Sequence, residues 1–367
     1  MTTVAIYLGG EAHTSIVRYL SGVSWVRPDG ITFVLVGDDL DVGDLTDQYN
    51  SYDVARSPGT RGADSFRLAY RDLCRYLGED VETPDALWQV KSPEIHALPL
   101  IAAGRQFGVP TITRITNQNF SEWRERPGIG ATVRSLLLNN VGLRGLRFSD
   151  RVQVLSENNR QNLTDRGVPP EKITVLRSPL NTDQFAPVSD ERKRELRREL
   201  GFDETATCVV YVGRLIDIKG MDTLLDAASR LPELNFHVVG DGPFRAQFEE
   251  HENTVAHGLV HPDDVHRYYK AADLLLHPSY TEEDGISWSM IEAAATRLPV
   301  VTRDIENAAE TASFVFSELD ELCRYLEQPE QWRPATYPEK WSIDSLRGDY
   351  QSFFRAVVES PSAVRQS

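Results

Sequence analysis

The feature that most constrains this chain is an alternation: short apolar runs of strand length, separated by amphipathic stretches of helix length, carried through both halves of its 367 residues. Such alternation argues for α/β architecture with parallel sheets, because parallel neighbours need a crossover between them and a helix is the usual one. In the first half the expected strands are 4–8, 31–36, 86–90, 110–115, 151–155 and 173–176, with a helix over 96–107. The pattern restarts at 190 with a helix over 191–200, a strand over 208–212, a helix over 220–231 and a strand over 235–239. It continues through 243–251, 254–257, 263–271, 274–277, 289–297 and 299–302. Two doubly wound domains follow, 1–185 and 186–341, and 341–358 reads as a further amphipathic helix with Leu346, Tyr350, Phe353, Phe354 and Val357 on its apolar side. Residues 38–53 read as an acidic, irregular loop.

Composition enters as a set of exclusions. No apolar run approaches the roughly 18 residues of a spanning helix, and the first residues carry no basic segment of the signal-peptide kind. The expected location is therefore cytoplasmic. With 39 Lys and Arg against 55 Asp and Glu, the formal charge of −16 makes a poor partner for nucleic acid. Cys74, Cys208 and Cys323 are too few and too scattered for a disulfide framework or a cysteine-built zinc site. Only six of the cations are lysines. An acidic, Lys-poor, Arg-rich surface fits a salt-rich, halophilic cytoplasm, where screening suppresses carboxylate repulsion; GC-rich coding bias is the alternative.

Three segments of the second half carry chemistry. The strand 208–212 runs into Gly213-Arg214 and then Lys219-Gly220, and in doubly wound folds ligands lie beyond the carboxyl ends of strands. Arg214 as a bidentate fork and Lys219 as a point charge suit the two phosphates of a diphosphate; an ordinary surface loop with two cations is the other reading. The next strand ends in Gly240-Asp241-Gly242-Pro243, which is no dinucleotide fingerprint because position 245 is Arg. The third segment leaves a strand at Pro278-Ser279, passes Asp284-Gly285, and enters a helix near Ser289. Backbone N–H groups from Gly285, Ile286 and Ser287 at that helix start would meet an anion, and Glu292, one turn in, would accept hydrogen bonds from ribose hydroxyls.

Gly213-Arg214 with Lys219, the Gly240 to Pro243 turn, and Pro278-Ser279 followed by an acidic pair together resemble the family 4, or group 1, glycosyltransferases. That family carries a Glu, seven residues, and a second Glu; here the second is Glu292 and the first position holds Asp284. Further stretches, Val154 to Glu157, Gly167 to Val175 and Asn181 to Pro187, resemble the family's approach to the domain junction, with Ser178-Pro179 where Asn-Gly is usual. The resemblance implies the GT-B fold, two doubly wound Rossmann-like domains facing each other across a cleft, with the closing helix 342–367 packed back on the first domain.

It also implies retaining transfer from a nucleoside-diphosphate sugar, a UDP- or GDP-sugar, to a glycan or lipid-linked hydroxyl acceptor, with no metal and no cofactor. Arg214, Lys219, Asp284 and Glu292 would be the catalytic set, with Gly213, Gly240, Gly242, Gly285, Ile286 and Ser287 binding the donor. On the acceptor side the candidates are Gly9, Gly10, His96, Thr116 and Asn117; the family often has a His where this chain has Thr116. A further departure follows Asp304, where Glu306-Asn307 and Glu310 replace the family's Gly-Gly and trailing Glu. The alternative reading is a degenerate relative that binds a nucleotide sugar or glycan without transfer. Asp39-Leu40-Asp41 resembles the metal clamp of the other major glycosyltransferase fold, but one such tripeptide is expected by chance in so acidic a chain. Residues 124–148 set five arginines against Glu125 among interleaved apolar residues, a composition suited to peripheral contact with anionic lipid, or to a core helix with an arginine-coated outer face.

Overall fold

The apolar runs pair into two parallel sheets, one in each of two units. The structure is a computed structural model and describes residues 2–8, 14–27, 29–37, 49–53, 65–78, 83–90, 97–115, 142–280, 287–305 and 308–359. One unit comprises Met1–Pro179 together with Ile343–Ser367, the other Leu180–Ser342.

The first unit's strands are β1 (Thr2–Tyr7), β2 (Ile31–Gly37), β3 (Asn50–Asp53), β4 (Ala86–Gln89), β5 (Thr111–Arg114), β6 (Arg151–Val154) and β7 (Ile173–Val175), in the order β3-β2-β1-β4-β5-β6-β7. The chain winds outward from β1 to β3, returns to pair β4 against the other side of β1, and winds outward again. β1 and β4 therefore flank the point where the winding reverses, the place at which open α/β sheets bind ligands. Successive side chains leave a strand on opposite faces. Val4, Ile6 and Trp88 accordingly pack with Tyr19, Leu20 and Val23 of the helix Thr14–Trp25, and with the closing helix Ile343–Glu359. Ala5, Tyr7 and Leu87 pack on the other face, with Leu73 and Tyr76 of the helix Ser65–Gly78 and with Leu100 and Ala103 of the helix Ala97–Phe107. The closing helix buries Leu346, Tyr350, Phe353, Phe354 and Val357 in this core. Each such side chain contributes roughly 1.5–3 kcal/mol, enough together to hold the helix to the first unit although the second precedes it in sequence.

The second unit's strands are β8 (Thr207–Val212), β9 (Leu234–Val239), β10 (Thr254–Gly258), β11 (Leu274–His277), β12 (Val300–Arg303) and β13 (Phe314–Phe316), in the order β10-β9-β8-β11-β12-β13. Its winding reverses between β8 and β11. Cys208 and Val210 of β8 face a core with Leu196, Phe202, Tyr269 and Ile291, while Val209 and Tyr211 face one with Leu224, Phe236 and Leu322. The helix Asp190–Leu200 starts where Ser189 Oγ accepts from the Arg192 N–H at 3.3 Å. Its buried Arg197 meets Asp273 at 2.5 Å, and Asp273 Oδ2 also accepts from the Cys208 N–H at 2.8 Å. One carboxylate thus ties the helix to the entry of both central strands.

The structure adds β13 and the helix Leu319–Leu326, which the sequence reading did not name, and departs from that reading at β3 and at the division between units. Residues 50–53, read as loop, form β3; Asn50-Ser51-Tyr52-Asp53 is too polar to register as a strand, and its pairing with β2 supplies what its side chains do not. The division between units falls after Pro179 rather than after 185, because Leu180 and Phe185 pack into the second unit's core.

Candidate functional site

At the carboxyl edge of the second sheet, three loops are fastened to one another by backbone. After β8, the Gly213 N–H donates to Val239 O at 3.0 Å and the Leu215 N–H to Asp241 O at 2.9 Å, joining this loop to the one after β9. A 3-10 turn over Asp217–Lys219 follows, and the Tyr280 N–H donates to Ile218 O at 3.0 Å, joining it to the loop after β11. Glycine makes these approaches possible. Gly240 has φ +139°, and a Cβ there would lie 1.8 Å from Gly213 O; Gly242 lies against Leu215 O in the same way. Gly220, at φ +73°, closes the 3-10 turn with its backbone against Pro278 O. The glycines after β9 therefore have a packing duty: the backbone they admit is that of residues 213–215.

This fastened layer carries Arg214 and Lys219. Tyr211 Oη donates to Arg214 O at 2.9 Å, fixing the backbone under the guanidinium, which is exposed and makes no ion pair among the described residues. Lys219 is half-buried at the entry to the helix Met221–Arg230. Both cations thus stand at the reversal between β8 and β11.

The helix Trp288–Ala295 begins after Ser287, whose Oγ lies 2.9 Å from Ser289 Oγ rather than capping the helix; Ser289 Oγ is in turn 3.4 Å from His277 Nδ1. Glu292 is 1% exposed, and its Oε2 accepts from Tyr269 Oη at 2.9 Å. This bond braces the helix against the helix Val265–Ala271.

Ser279, expected from sequence at the exit of the strand, is fully buried just past β11, and its Oγ has no hydrogen-bond partner among the described residues. One residue at this edge was not singled out from sequence. Arg303, which ends β12, donates to Thr223 Oγ1 at 2.8 Å and Ser317 O at 3.1 Å and lies 4.4 Å from the centre of the Tyr280 ring, while Tyr280 Oη donates to Asp222 Oδ2 at 2.5 Å. It fastens the loop after β11 to the helix that follows Lys219. A single arginine at a strand end gives no signal of this.

Gly9, Gly10, His96, Thr116, Asn117, Asp284, Gly285 and Ile286 lie outside the described residues, as do Asp39-Leu40-Asp41, Glu306-Asn307 and 124–141. Among the described residues no group of three His, Cys, Asp or Glu could hold a metal ion, and no helix is long and apolar enough to cross a membrane.

Residues 206–325 match the family described as "Glycosyl transferases group 1". The alpha-galactosylglucosyldiacylglycerol synthase of Streptococcus pneumoniae is 29% identical over 157 residues, 40% of this chain and 41% of that protein; the chain thus spans about two-fifths of the length of this relative. Among solved structures, sucrose-phosphate synthase from Thermosynechococcus elongatus superposes with a TM-score of 0.71 at 16% identity, covering 100% of this chain and 97% of that one. Anabaena HepE in complex with UDP superposes with a TM-score of 0.66 at 16% identity, covering 100% and 98%. At such identity the likeness shows the fold alone, the GT-B fold with a Rossmann-like sheet in each unit.

Proposed function

From a second unit whose residues 206–325 match the group 1 glycosyl transferases, we propose that this chain is a retaining glycosyltransferase, moving a sugar from a nucleoside-diphosphate sugar to a hydroxyl of a glycan or lipid-linked acceptor. The observation that carries the reading is Arg214 and Lys219 standing on a backbone-fastened loop at the reversal of the second sheet. Cleavage of the sugar–phosphate bond leaves negative charge on the diphosphate. Cations held in place beforehand stabilise that charge as it develops, with no reorganisation at the moment of reaction. Arg214 offers a planar fork and Lys219 a point charge; Ser279 Oγ, buried without a partner among the described residues, is a donor for a phosphate oxygen. With charge neutralised by side chains the reaction needs no metal, and with the leaving phosphate taking the acceptor's proton it needs no dedicated base. HepE was solved with UDP, which makes UDP- and then GDP-sugars the first donors to examine.

Thermal melting with UDP, GDP, ADP, TDP and their sugars, at low and at molar KCl, tests the site. A ligand at 100 times its Kd stabilises by about 2.7 kcal/mol, and an acidic, salt-adapted surface raises the melting temperature in molar KCl. A selective shift by one nucleotide, together with consumption of its sugar by wild type, is the expected result. Consumption undiminished in Lys219→Ala overturns the site.

A peripheral membrane location belongs to the same proposal. What supports it is Phe148, 42% exposed, with the guanidinium groups of Arg105 and Arg147 lying 4.6 and 4.7 Å from its ring centre. An apolar ring among cations is suited to the surface of an anionic bilayer. Co-sedimentation with phosphatidylglycerol vesicles is expected to fall in Phe148→Ser; equal sedimentation of the variant removes this patch from the reading.

A further inference from the structure

Resting on the transferase reading, we infer that Arg303 is a positioning residue of the donor site: it holds the segment of Lys219 against that of Ser279, and the grip on a diphosphate depends on its planar fork. Strand alternation puts Arg303 on the face of Val301, the face that the helix Met221–Arg230 covers through Leu224. Its side chain thus leaves the sheet edge towards the residues that follow Lys219. Nη2 donates to Thr223 Oγ1 at 2.8 Å, Nη1 to Ser317 O at 3.1 Å and Nε to Pro278 O at 3.4 Å, three acceptors from three segments. One planar fork reaches all three, which the compact ammonium of a lysine does not.

Two of those acceptors belong to the segments that face the phosphates. Pro278 O is part of the peptide that leads into Ser279, and a Cβ on Gly220 would lie 2.1 Å from it. One carbonyl thus meets both the residue after Lys219 and the guanidinium. Tyr280 repeats the link: its N–H donates to Ile218 O at 3.0 Å, and its Oη donates to Asp222 Oδ2 at 2.5 Å and lies 3.4 Å from Thr223 Oγ1. Each of these contacts joins 278–280 to 218–223. Arg303 also holds Tyr280 by its ring, 4.4 Å from the ring centre, and lies 5.1 Å from that of Phe316.

What Arg303 lacks is an acid. In a chain with 55 Asp and Glu, Arg230 pairs with Asp320, Arg245 with Glu249 and Arg267 with Glu199. Arg303 meets neutral oxygens instead and has no ion pair among the described residues. A carboxylate partner would draw the fork out of the clasp and add negative charge where a diphosphate is to bind. A cation stabilises developing charge best when it is already in place. Lys219 meets the phosphate, and Arg303 acts through it by fixing where its segment stands.

The test is calorimetric titration of the full chain with UDP and with GDP, in wild type, Lys219→Ala, Arg303→Met, Arg303→Lys and the double variant of Lys219→Ala with Arg303→Met. A residue that acts through Lys219 gives losses that do not add. For the diphosphate that binds, Arg303→Met is expected to weaken affinity about tenfold in the wild-type background and less than about threefold in Lys219→Ala. Arg303→Lys keeps the charge and loses the fork, so it is expected to behave like Arg303→Met; wild-type affinity in Arg303→Lys would reduce the role to charge and overturn the inference. A residue that served only the fold would weaken binding equally in both backgrounds, and equal losses overturn the inference too, as does unchanged affinity in Arg303→Met. If Arg303→Met fails to fold, Thr223→Val carries the same cycle, since it removes the oxygen that Nη2 and Tyr280 Oη meet. With no binding of either diphosphate by wild type, or with affinity undiminished in Lys219→Ala, the donor site itself falls and the role of Arg303 with it. Binding that depends on Lys219 while the losses add leaves the transferase reading standing and removes Arg303 alone.

Discussion

The two units reach the carboxyl edges of their sheets by different means. In the second, the loops after β8, β9 and β11 are fastened backbone to backbone, and glycines make room for one chain against the next. In the first, the notable groups at the edge are side chains, Gln89 and Arg114, buried and incompletely satisfied. A backbone cradle suits a ligand of fixed charge and shape, such as a nucleoside diphosphate.

The largest effect that would sharpen this contrast is the loss of the second unit's cations. Lys219→Ala is expected to lower kcat/KM for the donor by roughly 10²–10³, the scale seen when one preorganised group for developing charge is removed; steady-state donor consumption measures it. A loss confined to less than about tenfold would break the assignment of charge stabilisation to this edge. Gly240→Ala comes next. Its Cβ would be 1.8 Å from Gly213 O, a backbone atom with no room to yield, at a φ that L side chains rarely adopt. Overpacking and strain together are expected to cost about 3 kcal/mol, read as a lower denaturation midpoint. A midpoint equal to wild type would show that the loops are not fastened as described.

Acid should separate the units as well. Among the described residues, histidines lie only in the second unit. His237 is stacked on Phe202, ring centres 3.4 Å apart, and its Nδ1 is 3.0 Å from His257 Nε2. Burial, then His257 and Arg197, pushes its pKa down from 6.5 to about 3, and burial lowers that of His257 too. The folded pKa is below the unfolded one, so the unfolded chain takes up the proton first: the stability is fully present above about pH 6.5 and is lost as pH falls from there towards 3. Hydrogen exchange at pH 7.5 and 5 should show β9 and β10 losing protection before β1 and β4. His237→Leu should flatten the pH dependence of the midpoint; an unchanged slope would remove this pair as the cause.

Much of this was legible in the sequence, for identifiable reasons. Strands such as 208–212 and 235–239 announce themselves because sheets covered on both faces need apolar runs, and the glycines at 213, 220, 240 and 242 mark turns. What those glycines lie against was not legible, since it depends on which loops end up side by side. Glu292 shows the same limit: its helical position was readable, but its partner, Tyr269, comes from another helix. Gln89 and Arg114 were not singled out, because each is one polar residue at the end of a short strand. Whether such a residue is satisfied or waiting depends on partners far off in sequence, for Arg114 as distant as Ser178. β3 left none, because an edge strand of Asn-Ser-Tyr-Asp owes its existence to pairing with β2.

The smallest expected effect probes the closing helix. Tyr350→Phe removes the hydroxyl that donates to Arg177 O and touches Tyr19 Oη, leaving a half-buried carbonyl short of a donor. The expected cost is about 1–2 kcal/mol, without change to the aromatic packing against Phe354. If the network serves only the fold, that is the whole result. Affinity for the nucleotide is expected to stay at the wild-type value, because Tyr350 packs in the first unit's core and the cations stand on the second unit's loops. A parallel loss of nucleotide affinity would mean that the two edges are not independent, and the contrast between a backbone-fastened edge and one of buried side chains would have to be given up.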